Sequence, residues 1–375
     1  MRIQFNQTIQ GHMYQAPKKG LNYNKLSLMS FNPSEAPASP VLSFANFPNI
    51  NFRARNIDAD FLLSQTKRLK CAYSGKFMLP QCEIKEIFQK LERRPNAQSA
   101  INLLQIYERY MHETESAIFN LFKDAKHKGK LNFQDILKSL QPAALARLKE
   151  KQIKVIKSAD KYIAKMGPPT AELVQLIRDN ALAKIEDNSF GRQPPLEMIK
   201  AVKAKGADLN RVIKVYQTWY KLPNSARDVD AFIVKYARKS HQEIARRLIC
   251  SAMATVEHIV PQSRKKIDSL SNMILVSARF NNERHSMPLD EYIMLNQDID
   301  MKGNLQKYLD LVIKEVARKK SDFAERGWYP EKIQKAIEKE TSGKVLLNID
   351  SLALTKEQKK DINAPQKLTK KFSAE

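Results

Sequence analysis

The chain has few means of stapling itself together. Its 375 residues include three cysteines, Cys71, Cys82 and Cys250, too few for a disulfide framework and suited to a reducing, cytoplasmic setting. They form no Cys-x-x-Cys pair, so no structural zinc is expected. No apolar stretch approaches the roughly 18 residues of a membrane span. The opening residues Met1-Arg2-Ile3-Gln4-Phe5-Asn6 lack the apolar core of a secretory signal. No membrane partner is expected, and no repeat of about 20–50 residues is visible. Acidic residues are also scarce: 40 Asp and Glu stand against 64 Lys and Arg, a formal net charge of +24.

A charge so far from zero points to a polyanionic partner, with nucleic acid the economical choice. An anionic membrane surface or a ribosomal location would suit the charge about as well, so a local site must discriminate. With 43% hydrophobic residues, the length leaves room for two or three domains with cores of their own.

The discriminating segment lies late in the middle of the chain. It begins Val256-Glu257-His258-Ile259-Val260-Pro261-Gln262-Ser263, continues through Asp268-Ser269-Leu270-Ser271-Asn272, and ends Phe280-Asn281-Asn282-Glu283-Arg284-His285. A histidine beside a carboxylate closes a short apolar run, an asparagine closes a loop, and a polar face follows on a helix. These residue types suit phosphodiester hydrolysis. A divalent metal stabilises charge on phosphate and leaving oxygen, and an imidazole with an ordinary pKa near 6.5 takes a proton from water at neutral pH. Taken singly, His-Ile-Val-Pro reads as a strand end and Asn-Asn as a turn or cap; their order and spacing together carry the reading.

The segment resembles the HNH endonucleases, the ββα-metal nucleases, and is especially similar to the HNH domains of RNA-guided CRISPR nucleases. The resemblance covers residues 250–295 and, through Lys70-Cys71-Ala72-Tyr73-Ser74-Gly75-Lys76-Phe77, extends to a first hairpin unless that run is an ordinary glycine turn. No second, RuvC-like nuclease signature occurs, so RNA guidance is not inferred. The resemblance implies that His258 is the general base and that Glu257 and Asn281 hold the metal. It makes Asn272 a brace serving catalysis and His285, four residues beyond Asn281, an extra ligand or phosphate contact. Asn282 competes with Asn281 as the helix ligand. The implied cofactor is Mg²⁺, with Mn²⁺ as the substitute. The chain departs from the family pattern in having Glu rather than Asp at 257, and Arg264-Lys265-Lys266-Ile267 in place of a Gly-Gly loop. That basic loop, with Arg284, would favour a phosphate backbone.

The expected fold is mainly α, a multi-helical protein carrying a small ββα-metal module. Residues 1–55, rich in Asn, Ser and Pro, read as disordered, with a candidate docking peptide around Phe44–Phe52. Residues 56–82 hold the candidate first strand or hairpin, and 83–249 a basic helical domain that would interrupt the module. Residues 250–300 form the module, 301–342 the C-terminal helices, and 343–375 a basic tail. Apolar periodicity predicts helices over 303–325 and 330–341, and places Trp219 and Trp328 in cores. Within the helical domain a helix is predicted from Pro142 to Met166, with Arg147, Lys151, Lys154, Lys161 and Lys165 along one stripe. The stripe reads either as a solvated lysine face or as a backbone track for nucleic acid.

The function this composes is a metal-dependent endonuclease that nicks one DNA strand per site. Two alternatives are a catalytically inactive nucleic-acid-binding protein on the same scaffold and an antibacterial toxin. Backbone-directed sites carry no base-reading code, so DNA and RNA both remain open as substrate. Double-strand cleavage would call for a homo-oligomer or a second recognition module.

Overall fold

The computed structural model describes residues 57–94, 96–127, 129, 132–188, 194–195, 197–198, 208–262, 269–318, 326 and 328–349. The candidate docking peptide, the basic loop Arg264, Lys265 and Lys266, and the residues beyond 349 lie outside these. The protein is mainly helical and carries a small ββα unit. Helix α1 spans Ile57–Ser64, and α2 to α4 span Gln81–Glu92, Ala97–Gln105 and Glu113–His127. Next come α5 (Phe133–Lys157), α6 (Asp160–Ile163), α7 (Thr170–Glu186), α8 (Leu209–Tyr220), α9 (Val229–Tyr236) and α10 (His241–Cys250). The unit itself is β1 (Ala254–His258), β2 (Met273–Ser277) and α11 (Ala278–Arg284), followed by α12 (Leu289–Leu295), α13 (Met301–Arg318) and α14 (Pro330–Glu340).

Strands β1 and β2 pair antiparallel, with Val256 opposite Leu275 and His258 opposite Met273. Two strands alone are marginal in water; here the outer edge of β2 is closed by other parts of the chain. Ala72 donates its N–H to the Leu275 carbonyl at 2.9 Å, and the Leu275 N–H finds the Tyr308 hydroxyl at 3.1 Å. At the start of β1, Leu79 bridges Met253 in parallel, so the helical region from α2 to α10 leaves and rejoins the sheet at one place. Every residue of β2 is buried, because one core gathers residues from 62–78, both strands, α11 to α14 and on to Leu347. Gly75 belongs in this arrangement for two reasons. Its φ is +66°, and a Cβ there would stand 2.6 Å from Asn304 Oδ1, whose amide nitrogen holds the Tyr73 carbonyl at 2.9 Å.

The helical region has a second core between α5, α6, α7 and α8, centred on the fully buried Trp219. Trp328 is likewise fully buried, in the first core.

Four expectations need correction. Residues 57–64, within the candidate strand or hairpin, form a helix, and of the two readings of 70–78 the turn is the one seen, closed by Cys71 N–H to Lys76 carbonyl and Gly75 N–H to Cys71 carbonyl, with strand pairing reduced to the bridge at Leu79. The helix expected at Pro142 starts at Phe133, where the Asn132 side chain caps the Gln134 and Asp135 amides, and Pro142 sits inside it. The same helix stops at Lys157 rather than Met166: the Ile156 carbonyl accepts the Trp219 indole N–H at 3.0 Å, and the chain turns at 158–159 into the separate α6. The C-terminal boundary at 342 falls short, since Val345 and Leu347 are buried and Asn348 exchanges two hydrogen bonds with Gln306.

Candidate active site

The site is built at the end of β1 and on the helix that crosses it. Glu257 and His258 are successive strand residues, so their side chains leave opposite faces. Glu257 is 4% exposed and His258 half-buried. The turn after His258 is held by Asn272, itself 3% exposed. Its Oδ1 accepts the Val260 N–H at 2.8 Å, its Nδ2 donates to the Val260 carbonyl at 3.1 Å, and its own carbonyl accepts from Ile259 at 2.8 Å. Asn272 thus grips the backbone just beyond the histidine. The Gln262 amide nitrogen stands 3.2 Å from His258 Nε2; with the amide so oriented, Nε2 is the accepting nitrogen.

Helix α11 follows β2 without a break, its seven residues too few to persist unsupported. Tertiary bonds fix it. Of the asparagine pair, Asn281 turns toward β1, donating Nδ2 to the Val256 carbonyl at 3.1 Å and keeping Oδ1 clear of that bond. Asn282 is exposed. Arg284, three residues on, is 1% exposed. Its guanidinium donates to Glu257 Oε1 at 2.9 Å, to the His258 and Ile259 carbonyls at 2.7 and 2.6 Å, to the Met287 carbonyl at 3.0 Å and to the Tyr73 hydroxyl at 3.2 Å. One side chain therefore joins the 70–78 turn, the carboxylate and the turn after the histidine.

This overturns the expectation that Arg284 contacts a nucleic-acid backbone: its donors are spent inside the protein. His285 also departs from expectation. The helix ends at Arg284, and His285 is an exposed cap residue with φ +50°, so sharing a helical face with Asn281 no longer applies.

Electrostatics at Glu257 are set by burial, which pushes its carboxyl up to about 8 against the opposing pull of Arg284. Its second oxygen, Oε2, is buried and has no hydrogen-bond partner among the described residues. No cluster of three or more His, Cys, Asp or Glu side chains suited to a metal occurs among the described residues. On neighbouring backbone the described residues offer two oxygens not used in the bonds above, Glu257 Oε2 on β1 and Asn281 Oδ1 on the helix bonded to it. A carboxylate oxygen without a protein partner and an amide oxygen are both of the hard type that a divalent cation takes, alongside water and phosphate oxygens.

The stripe on α5 divides. Arg147 makes three hydrogen bonds to Asp230, and Lys151 reaches both Asp228 and Asp230, at 2.7 and 2.8 Å, so their charge is matched by the neighbouring α9. Lys154, Lys161 and Lys165 are exposed; the last two lie beyond the break, on and after α6.

Sequence reasoning missed Arg284's anchoring role, the part of Gln262 and Tyr73, and a second buried network around Glu283. Tyr73 and Gln262 stood in the quoted runs, but nothing local marked them as partners of residues far along the chain. Residues 240–287 match a family model described as HNH endonuclease. The match starts at the Ser240 cap of α10 and takes in both strands and α11. The segment is thus similar to HNH endonucleases, which act on nucleic acid and generally use a divalent metal. No curated protein and no solved structure matches the chain. No described helix is long and apolar enough to cross a membrane.

Proposed function

We propose that the protein is a metal-dependent endonuclease that nicks one DNA strand per site, with His258 as general base and Glu257 and Asn281 as the metal's protein ligands. The observation that carries this reading is the buried, unsatisfied Oε2 of Glu257 on the strand residue next to a half-buried histidine whose Nε2 stands 3.2 Å from the Gln262 amide nitrogen. A bound Mg²⁺ would supply a Lewis acid at the scissile phosphate. The chain's own residues do the rest. His258 takes the proton of the attacking water. Asn272 fixes the backbone that carries it, and Gln262 steadies the ring. Arg284 holds the carboxylate through one oxygen and leaves the other to the ion.

The exposed Lys154, Lys161 and Lys165, with the loop residues Arg264, Lys265 and Lys266, are the proposed backbone contacts, positioning the substrate without reading its sequence. The helical region from α2 to α10 is read as an insertion between the 70–78 turn and β1, consistent with the Leu79–Met253 bridge at its two ends.

The test is nicking of supercoiled plasmid in Mg²⁺ or Mn²⁺, with and without chelator. Wild type is expected to yield open circles that chelator abolishes. His258→Ala should lose at least about 10²-fold in rate, the lower end of general-base contributions, while binding DNA as before. Binding without any nicking by wild type would favour the inactive scaffold.

A further inference from the structure

A buried network that the proposed chemistry does not use ties α11 to the helical region. Glu283 lies between Asn281 and Arg284 in the helical turn, with a side chain 5% exposed. Arg227, from the loop between α8 and α9, meets it with a two-pronged contact: Nε to Oε1 at 3.0 Å and Nη2 to Oε2 at 2.5 Å. The same Nη2 donates to Asn296 Oδ1 at 2.6 Å. The Tyr292 hydroxyl reaches Glu283 Oε2 at 3.3 Å, and the Tyr220 hydroxyl reaches its carbonyl at 3.4 Å. The loop presenting Arg227 is held in turn: Arg247 of α10 donates to the Ser225 carbonyl at 3.1 Å and pairs with the fully buried Glu115 of α4 at 2.5 Å. Planar guanidinium against carboxylate fixes direction as well as distance.

Resting on the nuclease reading above, we propose that Arg227 and Glu283 are positioning residues for the metal. They clamp α11 from the helical side while Arg284 anchors it to β1, and the two grips together set where Asn281 Oδ1 stands. The helical region is then a working part of the nuclease site, because it supplies one jaw of the clamp. Residues that orient a metal ligand from behind change affinity for the ion when removed, by about 10–100-fold.

The experiment uses the full chain. In Arg227→Met/Glu283→Gln both members of the two-pronged pair lose their charge together, and Arg279, which also stands 3.5 Å from Glu283, keeps Glu113 as its partner. Arg227→Lys keeps the charge and loses the fork, and serves if the paired variant does not fold. Asp160→Asn/Arg178→Gln removes an ion pair between α6 and α7 as the control. Free Mn²⁺ is counted by electron paramagnetic resonance, nicking gives kcat and KM, and amide exchange is followed over 281–285. The clamp variants are expected to bind Mn²⁺ at least about tenfold more weakly, to lose kcat with KM for DNA unchanged, and to exchange these amides faster, while the control matches wild type. A folded clamp variant with wild-type Mn²⁺ affinity and wild-type exchange overturns the inference and leaves the nuclease reading standing. Wild-type protein that binds no Mn²⁺ and nicks nothing overturns that reading, and the inference with it.

Discussion

A basic residue near the end of a short helix ordinarily faces water, yet Arg284 is buried with five protein partners. Its removal should therefore cost more than a surface charge. Arg284→Met leaves Glu257 buried without its counter-ion, and breaking a buried pair from one side costs about 3–5 kcal/mol. Urea unfolding should show that loss, and Arg284→Met/Glu257→Leu should recover part of it; equal stabilities for the single and paired variants would mean that the ion pair carries no weight. The residue types in the late-middle segment were legible in sequence because Glu257, His258, Asn272 and Asn281 fall in one short stretch. Arg284's burial was not, since its contacts depend on Tyr73, far back in the chain, and on carbonyls that no side-chain pattern records. The doublet Asn281-Asn282 was equally undecidable from letters alone; the phase of α11 on β1 separates them.

At the scale of elements, His112 shows how the helical region is seated on the small sheet. It precedes α4, is 2% exposed, and lies 3.2 Å from the Ser277 hydroxyl at the junction of β2 and α11, with its ring edge-on to Phe280. Burial, then Arg279 of α11 and Lys76 of the turn, drive its pKa down to about 3, against the opposite pull of Glu113 and a hydrogen bond to the Ser251 backbone. The unfolded chain binds this proton near pH 6.5, the folded one only near 3. The stability His112 contributes is thus complete above about 6.5 and is lost as pH falls toward 3, with a slope approaching about 1.4 kcal/mol per pH unit. Glu113 is held down at about 2: burial would raise it, but Lys76 and Arg279 prevail. Its own loss therefore starts below the ordinary carboxylate value near 4.5; Glu257, raised to about 8, contributes with the opposite sign between about 8 and 4.5, but equally in wild type and in a His112 variant, so the difference between the two from about 6.5 to 4.5 belongs to His112. Unfolding free energies of wild type and His112→Gln across that interval should differ in slope by nearly one proton; parallel slopes would refute the assignment. Helices α13 and α14 were readable from their apolar spacing, since each lays one stripe on a common core. The break after α5 was not, because the group that accepts Trp219 is a backbone carbonyl and the indole comes from α8.

For the whole molecule, the excess of positive charge matters only where side chains are left unmatched. Arg147 and Lys151 are held by Asp228 and Asp230, whereas Lys154, Lys161 and Lys165 are exposed. DNA binding should weaken steeply with salt. Replacing these three lysines with glutamine should reduce the slope of log K against log salt by about 0.9 for each phosphate no longer neutralised, and leave kcat unchanged at saturation. Arg147→Gln, offered as the contrast, should leave the slope as it was. A triple variant with the wild-type slope would remove this track from the interface.

The Leu79–Met253 bridge has a consequence for how such chains can diverge. Because the helical region departs from and returns to neighbouring backbone positions, residues can be gained or lost in its exposed loops without shifting the register of β1 on β2. The interval between Gly75 and His258 can then change in length through its loops, provided that His112, Tyr220 and Arg227 keep their places against Ser277 and Glu283; a signature of fixed spacing would not join the turn at 70–78 to β1, which the fold brings together.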